Sequence, residues 1–275
     1  MPGTLYLVPT PIGNLGDVSR RVAETFEQVD FIAAEDTRVT LKLLNHLGLK
    51  KPLVSYYRHN TDEAGRQVLS RLLSGESCAL CTDAGTPAIS DPGEDLVALC
   101  AENGVPVVPL PGPCALTTAL CASGLPTARF VFEGFLPMNR KNRRARLEAL
   151  AGEERTMILY EAPHKLTATL ADLAETFGPD RRVSLCRELT KLHEEVFRTT
   201  LSGAVERYQA EAPRGEFVLV VEGAGTPQEE YTLDDGLDRV SALLAQGLSR
   251  KDAVRQAAKE LGLSRNELYN AALGQ

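Results

Sequence analysis

The sequence predicts an α/β protein with two sheet-bearing domains and a small helical segment at its C-terminal end. Three observations carry this. Strand-like and helix-like runs alternate through the first 125 residues, a second set of β-rich runs follows a Gly/Pro-containing linker, and residues 232–275 have helical period only. The expected boundaries are 1–125, 126–225 and 232–275. Strand–helix alternation implies a mostly parallel sheet with helices on both faces. Ligands of such sheets bind outside the carboxyl ends of the strands.

Five short apolar runs read as the strands of the first domain: TLYLV (4–8), FIAAE (31–35), PLVSY (52–56), SCALC (77–81) and VPVVPL (105–110). Between and after them, residues 19–29, 39–47, 62–74, 93–103 and 113–123 have helical period. ASGLPTARF (122–130) reads as a linker. In the second domain FVFEGF, MILYEA, VSLCREL, EEVFRTTL and EFVLVVEG read as strands, with LEALAG and HKLTATLADLAETF as helices. Partial alternation of Val, Phe, Thr and Leu predicts a mixed or antiparallel second sheet. Beyond GAGTPQEEYT, three helical runs follow, with Ser249 and Ser264 placed as N-caps.

Composition bounds the function. Apolar residues make up 43% of the 275, ordinary for a globular chain. A net charge of -7 excludes nucleic-acid binding through the whole surface and leaves only local patches. The N-terminal MPGTLYLVPTPIGN has no basic leader region, and prolines break its apolar run, so a cytoplasmic protein is expected. Six cysteines stand at 78, 81, 100, 114, 121 and 186. Cys78 and Cys81 form C-x-x-C without a second pair at zinc spacing, and in a strand they face opposite sides, so buried free thiols are expected.

The unusual segments fall at strand ends. PTPIGNLGD follows the first strand, EDTR the second, CTDAGTPAISDPG the fourth and PLPGPCA the fifth. Each alone is compatible with ordinary turn and cap chemistry. Four on one edge of one sheet point to a binding crevice. The dinucleotide fingerprint, the phosphate-binding P-loop, H-E-x-x-H and G-x-S-x-G are all missing from the sequence, and its four histidines are scattered. No metal site is expected. A loop with backbone exposed by Gly and Pro and flanked by Asp83 and Asp91 suits a ligand with a zwitterion and a purine, with Gly85 letting the main chain approach closely.

PTPIGNLGD, EDTR, DAGTPAISDPG, PGPCA, EGFLP, YEAPHK and RELTKLHEE occur in that order, and together they closely resemble the tetrapyrrole-methylase superfamily. The resemblance covers nearly the whole chain. It is strongest with the branch that 2′-O-methylates a decoding-region cytidine of 16S ribosomal RNA. It implies a homodimer that binds S-adenosylmethionine between two α/β domains and acts on 16S rRNA or the 30S subunit. By motif it places Pro11, Asp83, Ala84, Gly85, Thr86, Ile89, Cys114, Ala115, Tyr160 and Thr190 against the cofactor. Cys114 stands where the family usually has Ser or Thr, which weakens one hydrogen bond. Lys165 replaces a more usual Arg, which leaves a point-charge contact to RNA.

A ribose hydroxyl is a weak nucleophile and must give up its proton during or after attack. Glu35, Asp36, Glu161, His164 and Glu188 are the candidate bases. The Glu35–Asp36 doublet could raise one pKa by like-charge repulsion, or Asp36 could simply cap the next helix. His164 could equally cap or pack. For RNA, NRKNRRAR puts Arg140, Lys141, Arg143, Arg144 and Arg146 within seven residues with no acid between them. Such a run is either a phosphate-binding patch or a solvated helix face. The C-terminal helices resemble a helix-turn-helix, either an RNA arm or a packing appendage. A tetrapyrrole carbon methylase of the same fold and a non-catalytic RNA-binding assembly factor are the rival readings.

Overall fold

The computed structural model describes residues 1–225 and 231–273. They separate into two compact units, Met1–Ala224 and Gly225–Gln275. In the first unit β1 (Leu5–Leu7), β2 (Phe31–Ala34), β3 (Leu53–Ser55), β4 (Cys78–Cys81) and β5 (Val107–Pro109) form an all-parallel sheet. Its order is β3-β2-β4-β1-β5. The connecting helices are α1 (Arg20–Gln28), α2 (Thr37–His46), α3 (Thr61–Leu73), α4 (Glu94–Glu102) and α5 (Ala115–Ser123).

The two-residue period of the strands decides which helix covers which face. Leu5, Phe31, Ala33, Cys78 and Leu80 pack against Val68 and Leu72 of α3 and Leu96 and Cys100 of α4. Ile32, Ala34, Ala79 and Cys81 meet Val22 and Phe26 of α1 and Leu43 and Leu44 of α2. Cys78 and Cys81 therefore sit on opposite faces, both fully buried, as the C-x-x-C spacing in a strand requires. Burial raises both thiol pKa values, Cys81 to about 12, so neither is a nucleophile at neutral pH.

β6 (Phe130–Phe135), β7 (Thr156–Glu161), β8 (Arg182–Arg187), β9 (Glu195–Thr200) and β10 (Phe217–Val221) build a second sheet in the order β6-β7-β10-β8-β9. It is mixed: β6 and β7 run parallel, and the other neighbours are antiparallel. α6 (Arg140–Leu150), α7 (Pro163–Phe177) and α8 (Leu201–Ala210) cover one face through a core that includes Leu147, Leu166, Leu170, Leu173 and Leu201. The other face is covered by α5: Leu116, Ala119 and Leu120 pack on Ile158, Cys186, Val218 and Val220. Each Leu, Ile or Val side chain among them, when fully buried, contributes about 1.5–3 kcal/mol. One helix of the first sheet thus closes the core of the second and fixes the lobes together.

Two expectations change here. The basic run does not precede a short helix at LEALAG; it is the first half of α6, which starts at Arg140 with Asn139 as N-cap, its side chain accepting the Asn142 N–H. Helix α8 has no counterpart among the helical runs read from the sequence. It starts directly from strand β9 with no loop between, and Thr200 at that junction caps it by accepting the Gly203 N–H, so no turn signal marks the change of period.

In the second unit α9 (Leu233–Ala245), α10 (Arg250–Leu261) and α11 (Arg265–Leu273) share a core of Val240, Leu243, Val254, Ala257 and Leu268. Thr232 and Asp235 form a capping box, Ser249 accepts the Asp252 N–H, and the left-handed Gly262 ends α10. Residues 226–230, within GAGTPQEEYT, lie outside the described residues. Among the described residues no helix is long and apolar enough to cross a membrane.

Candidate active site

A cavity of about 430 Å³ opens in the first unit where the carboxyl end of the parallel sheet faces one end of the mixed sheet. Ile12 comes from the loop after β1, Ala84 to Thr86 and Ile89 to Asp91 from the loop after β4, and Cys114 and Ala115 from the start of α5. β4, β1 and β5 are adjacent strands, so these three loops converge. The opposite wall holds Phe135, Tyr160 to Pro163, Cys186, Leu189 and Glu216 to Val218. These stand at the carboxyl ends of β6, β7 and β8 and at the start of β10, which the antiparallel register of β10 brings to the same edge.

The loop after β4 is conformationally unusual. Ala88 and Ser90 have positive φ of 67° and 65°, which costs a non-glycine residue about 1–2 kcal/mol each. Strain of this kind collects at sites that the rest of the fold overdetermines. The determinants are visible. Gly85 and Thr10 exchange both backbone hydrogen bonds (2.9 and 3.0 Å), and the Thr86 hydroxyl donates to Pro113 O at 2.9 Å. The three loops are therefore tied to one another. Gly85 is needed for its φ of 88°; its N–H donates to Thr10 O and its C=O accepts the Thr10 N–H.

Carboxylates gather beside this loop. Asp91 lines the cavity, half-buried, and its pKa is raised to about 6, first by burial and then by the neighbouring Glu35 and Asp83, with Arg58 opposing. Glu35 and Asp83 are also raised, chiefly by burial. Asp83 accepts the Asp36 N–H and gives its own N–H to Glu35. Asp36 behaves differently. It caps α2 by accepting the Arg38 N–H at 2.8 Å, pairs with the Arg38 guanidinium and is held at about 2 by those bonds.

On the facing wall the Tyr160 hydroxyl accepts the Leu116 N–H at 3.1 Å, the first turn of α5 binding the end of β7. Phe132 and Phe135 stand edge-on to the Tyr160 ring, with centroids 5.0 and 5.6 Å away. Glu161 is buried and satisfied by the Thr169 hydroxyl and the Ala162 N–H. Glu188, at a positive φ of 51°, bonds Lys191 Nζ at 2.9 Å and the Glu216 N–H at 3.0 Å, which hold its pKa below the usual range.

Of the residues expected to hold the cofactor, Ala84, Gly85, Thr86, Ile89, Cys114, Ala115 and Tyr160 line the cavity together. Pro11, Asp83 and Thr190 stand beside residues that do, Ile12, Ala84 and Leu189. Glu35, Asp36, His164 and Glu188 are not on the cavity wall. His164 is exposed on the first turn of α7, next to half-buried Lys165. The carboxylate that does face the cavity from the loop after β4 is Asp91, which sequence reading names only as a flank of that loop. Its signal is the spacing from β4, because the loop returns across the sheet edge before α4 begins.

The five cations of the basic run are not equivalent. Arg143 is only 13% exposed, its guanidinium 2.9 Å from Asp172 and bonded to Thr169. Arg144 pairs with Glu148 and Arg146 with Glu133. Acids from neighbouring turns and strands thus engage three of the five. Arg140 and Lys141 remain exposed in the first turn of α6.

Known proteins place this architecture. The profile of the Tetrapyrrole (Corrin/Porphyrin) Methylases matches residues 4–205, and that of the RsmI C-terminal HTH domain matches 232–275. A protein of Synechocystis named ribosomal RNA small subunit methyltransferase I is 50% identical, covering 98% of both chains. One of the same name from Halalkalibacterium halodurans is 46% identical, over 98% of this chain and 94% of that one. Among solved structures, cobalt precorrin-4 methyltransferase superposes with a TM-score of 0.59 at 17% identity, over 80% of this chain and 94% of the other. Uroporphyrin-III C-methyltransferase from Thermus thermophilus, complexed with S-adenosyl homocysteine, gives 0.55 at 19% identity over 79% and 97%. With its paired parallel and mixed sheets, its interlobe cavity and these matches, the chain belongs to the tetrapyrrole (corrin/porphyrin) methylase family, on the branch of the ribosomal RNA small subunit methyltransferases I.

Proposed function

We propose that this protein transfers a methyl group from S-adenosylmethionine to the 2′-hydroxyl of a cytidine in small-subunit ribosomal RNA. The observation that carries the reading is the cavity, an apolar pocket with few acidic groups, set at the strand ends where this fold binds ligands. Identity of 46–50% over nearly the full length to proteins named for that RNA supports the substrate class. A neighbour of the same fold solved with S-adenosyl homocysteine supports the cofactor. The walls fit it: Ile12, Ile89, Ala115 and Val218 offer apolar surface, and Asp91 and Glu216 offer negative charge toward a cationic ligand. Pro11, Asp83 and Thr190, each next in the chain to a wall residue, complete the proposed cofactor set.

S-adenosylmethionine supplies a methyl group already activated by its sulfonium, so the protein has to align the acceptor oxygen and take its proton. The tied loops after β1, β4 and β5 hold one wall rigid, and Tyr160 fixes the other to α5. Asp91 is the proposed proton acceptor: as a C–O bond forms and the C–S bond breaks, the hydroxyl proton passes to its carboxylate. With a pKa of about 6 it is mostly ionised at neutral pH and still basic enough to accept. Glu35 and Asp83 tune it, Asp36 and Glu188 stay structural, and His164 and Lys165 stand outside the reacting centre. Arg140 and Lys141 are the proposed phosphate contacts.

The same reading assigns lobes 1–125 and 126–225 to one catalytic body and 232–275 to a separate helical unit, working as a homodimer in the cytoplasm. Labelled methyl transfer to naked 16S rRNA, to 30S particles and to a porphyrinogen tests it, followed by mapping of the modified nucleotide. Label on the 2′-oxygen of a small-subunit cytidine is expected. Label on the porphyrinogen, or on neither, would overturn the reading.

A further inference from the structure

We propose that Phe135 and Met138, on the segment joining β6 to α6, form the platform on which the base of the target nucleotide is stacked after leaving its own stack. The proposal rests on the RNA methylation reading above and extends it to how the acceptor is presented.

Phe135 lines the cavity, yet 60% of it is exposed, and Met138 three residues on is 83% exposed. An aromatic side chain that lines a cleft and is still mostly open offers contact surface to whatever enters that cleft. The ring is already positioned. It meets Tyr160 edge-on at 5.6 Å, and Tyr160 is pinned by the Leu116 N–H and by Phe132. Phe135 thus gives up little freedom on binding, as suits a stacking surface.

The occupant follows from charge. Arg140 and Lys141 occupy the first turn of α6, where the helix dipole disfavours cations. Unlike Arg143, Arg144 and Arg146, they have no acidic partner among the described residues. Their placement weakens the helix slightly, and an external anion bound there would offset that cost. S-adenosylmethionine has no phosphate and carries a positive sulfonium, so it does not need them. The five residue steps from Phe135 to Arg140 span at most about 18 Å. An aromatic face and free cations within that reach match a polynucleotide with one base turned out. Enzymes that act on a base extrude it and read it by stacking, and splayed bases of single-stranded RNA are commonly stacked on aromatic side chains.

Phe135→Ala, Phe135→Trp and the unaltered protein, each checked for thermal midpoint, are compared in two measurements. Calorimetry reads S-adenosylmethionine affinity, and labelled transfer to the RNA form that the unaltered protein methylates reads kcat and KM. For Phe135→Ala, kcat/KM is expected to fall about 5- to 150-fold, the range that loss of one base–aromatic stack spans. Cofactor affinity should stay within about threefold, and Phe135→Trp should restore most of the activity. Unchanged kcat/KM in Phe135→Ala overturns the platform while leaving the function standing. Loss of cofactor affinity equal to the loss of activity reassigns Phe135 to the cofactor and also overturns it. Failure of the unaltered protein to methylate any RNA removes the function and the platform together.

Discussion

Replacing Asp91 by Asn tests the proposed chemistry most directly. The carboxylate is half-buried beside Glu35 and Asp83, and burial with those charges lifts its pKa from 3.8 to about 6. A base with that pKa is about half ionised at pH 6, about a tenth ionised at pH 5 and about nine-tenths at pH 7. Single-turnover transfer at saturating RNA should therefore rise about tenfold per pH unit below 6 and level off above 7. Asp91→Asn should lower the plateau by about 10²–10⁴-fold, the usual contribution of a positioned base, and remove the acid limb. The linkage to folding has a definite sign. Because the folded pKa is raised, Asp91 favours the folded state below about 3.8, and that benefit is lost as pH rises through 6. Asp91→Asn should then raise the thermal midpoint at pH 8 and change it little at pH 3.5. A variant that keeps a third or more of the activity, or a wild-type profile flat from pH 5 to 7, would refute the assignment of Asp91 as proton acceptor.

The other perturbations are sharper for being local. Glu35→Gln removes a negative neighbour of Asp91 and should shift the acid limb of the rate profile to lower pH, whereas Arg58→Ala should shift it upward; an unmoved limb would mean that another group titrates. Gly85→Val forces a β-branched residue to a φ of 88° and puts a Cβ 3.4 Å from Ile12 Cγ2. It should cost about 1–3 kcal/mol in urea unfolding and weaken cofactor binding in calorimetry, because the Thr10 pairing that shapes the wall is broken. Arg143→Ala removes the ion pair with Asp172 and the bond to the Thr169 hydroxyl, and should destabilise by about 1–3 kcal/mol without changing the salt dependence of RNA binding. Arg140→Ala with Lys141→Ala should do the reverse: unchanged stability, and a log K against log salt slope flattened by about 0.7–0.9 for each phosphate no longer neutralised.

How much of this is legible in the sequence depends on whether the cause is local. The parallel sheet can be read from TLYLV, FIAAE and SCALC because fully buried strands are continuous apolar runs. The converging loops can be placed because strand order need not be known to say that all β-to-α turns lie on one edge. The tie between Gly85 and Thr10 cannot, since it joins residues 75 apart and needs β4 beside β1. Nor can the inward turn of Arg143. In the sequence it is one cation among five, and only the packing of α6 on α7 brings Thr169 and Asp172 to it. Asp36 is readable either as a base or as a cap, and the Arg38 N–H settles its bonding in favour of the cap. Glu188 looks available in the sequence because the Glu216 N–H, 28 residues on, reaches it only through the fold.

The distribution of rigidity in the cavity bears on where the reaction's difficulty lies. One wall is tied by Thr10 to Gly85 and by Thr86 to Pro113, and Tyr160 joins the other wall to α5 through Leu116. Leu116, Ala119 and Leu120 then anchor α5 into the core of the second sheet. None of these ties uses a side chain proposed to touch the acceptor. The cofactor walls are thus ordered by folding itself, and the ordering left for catalysis is that of the RNA. For a methyl donor already activated, alignment of the acceptor is the larger part of the barrier the protein can lower. On the proposed reading an incoming nucleotide is turned out and held against the methyl group, and Phe135 at the cavity, with Met138, Arg140 and Lys141 on the segment that follows, are of the kinds that a base and a phosphate would satisfy. In a protein that is acidic overall, cations clustered in this way supply the local attraction that a polyanion needs.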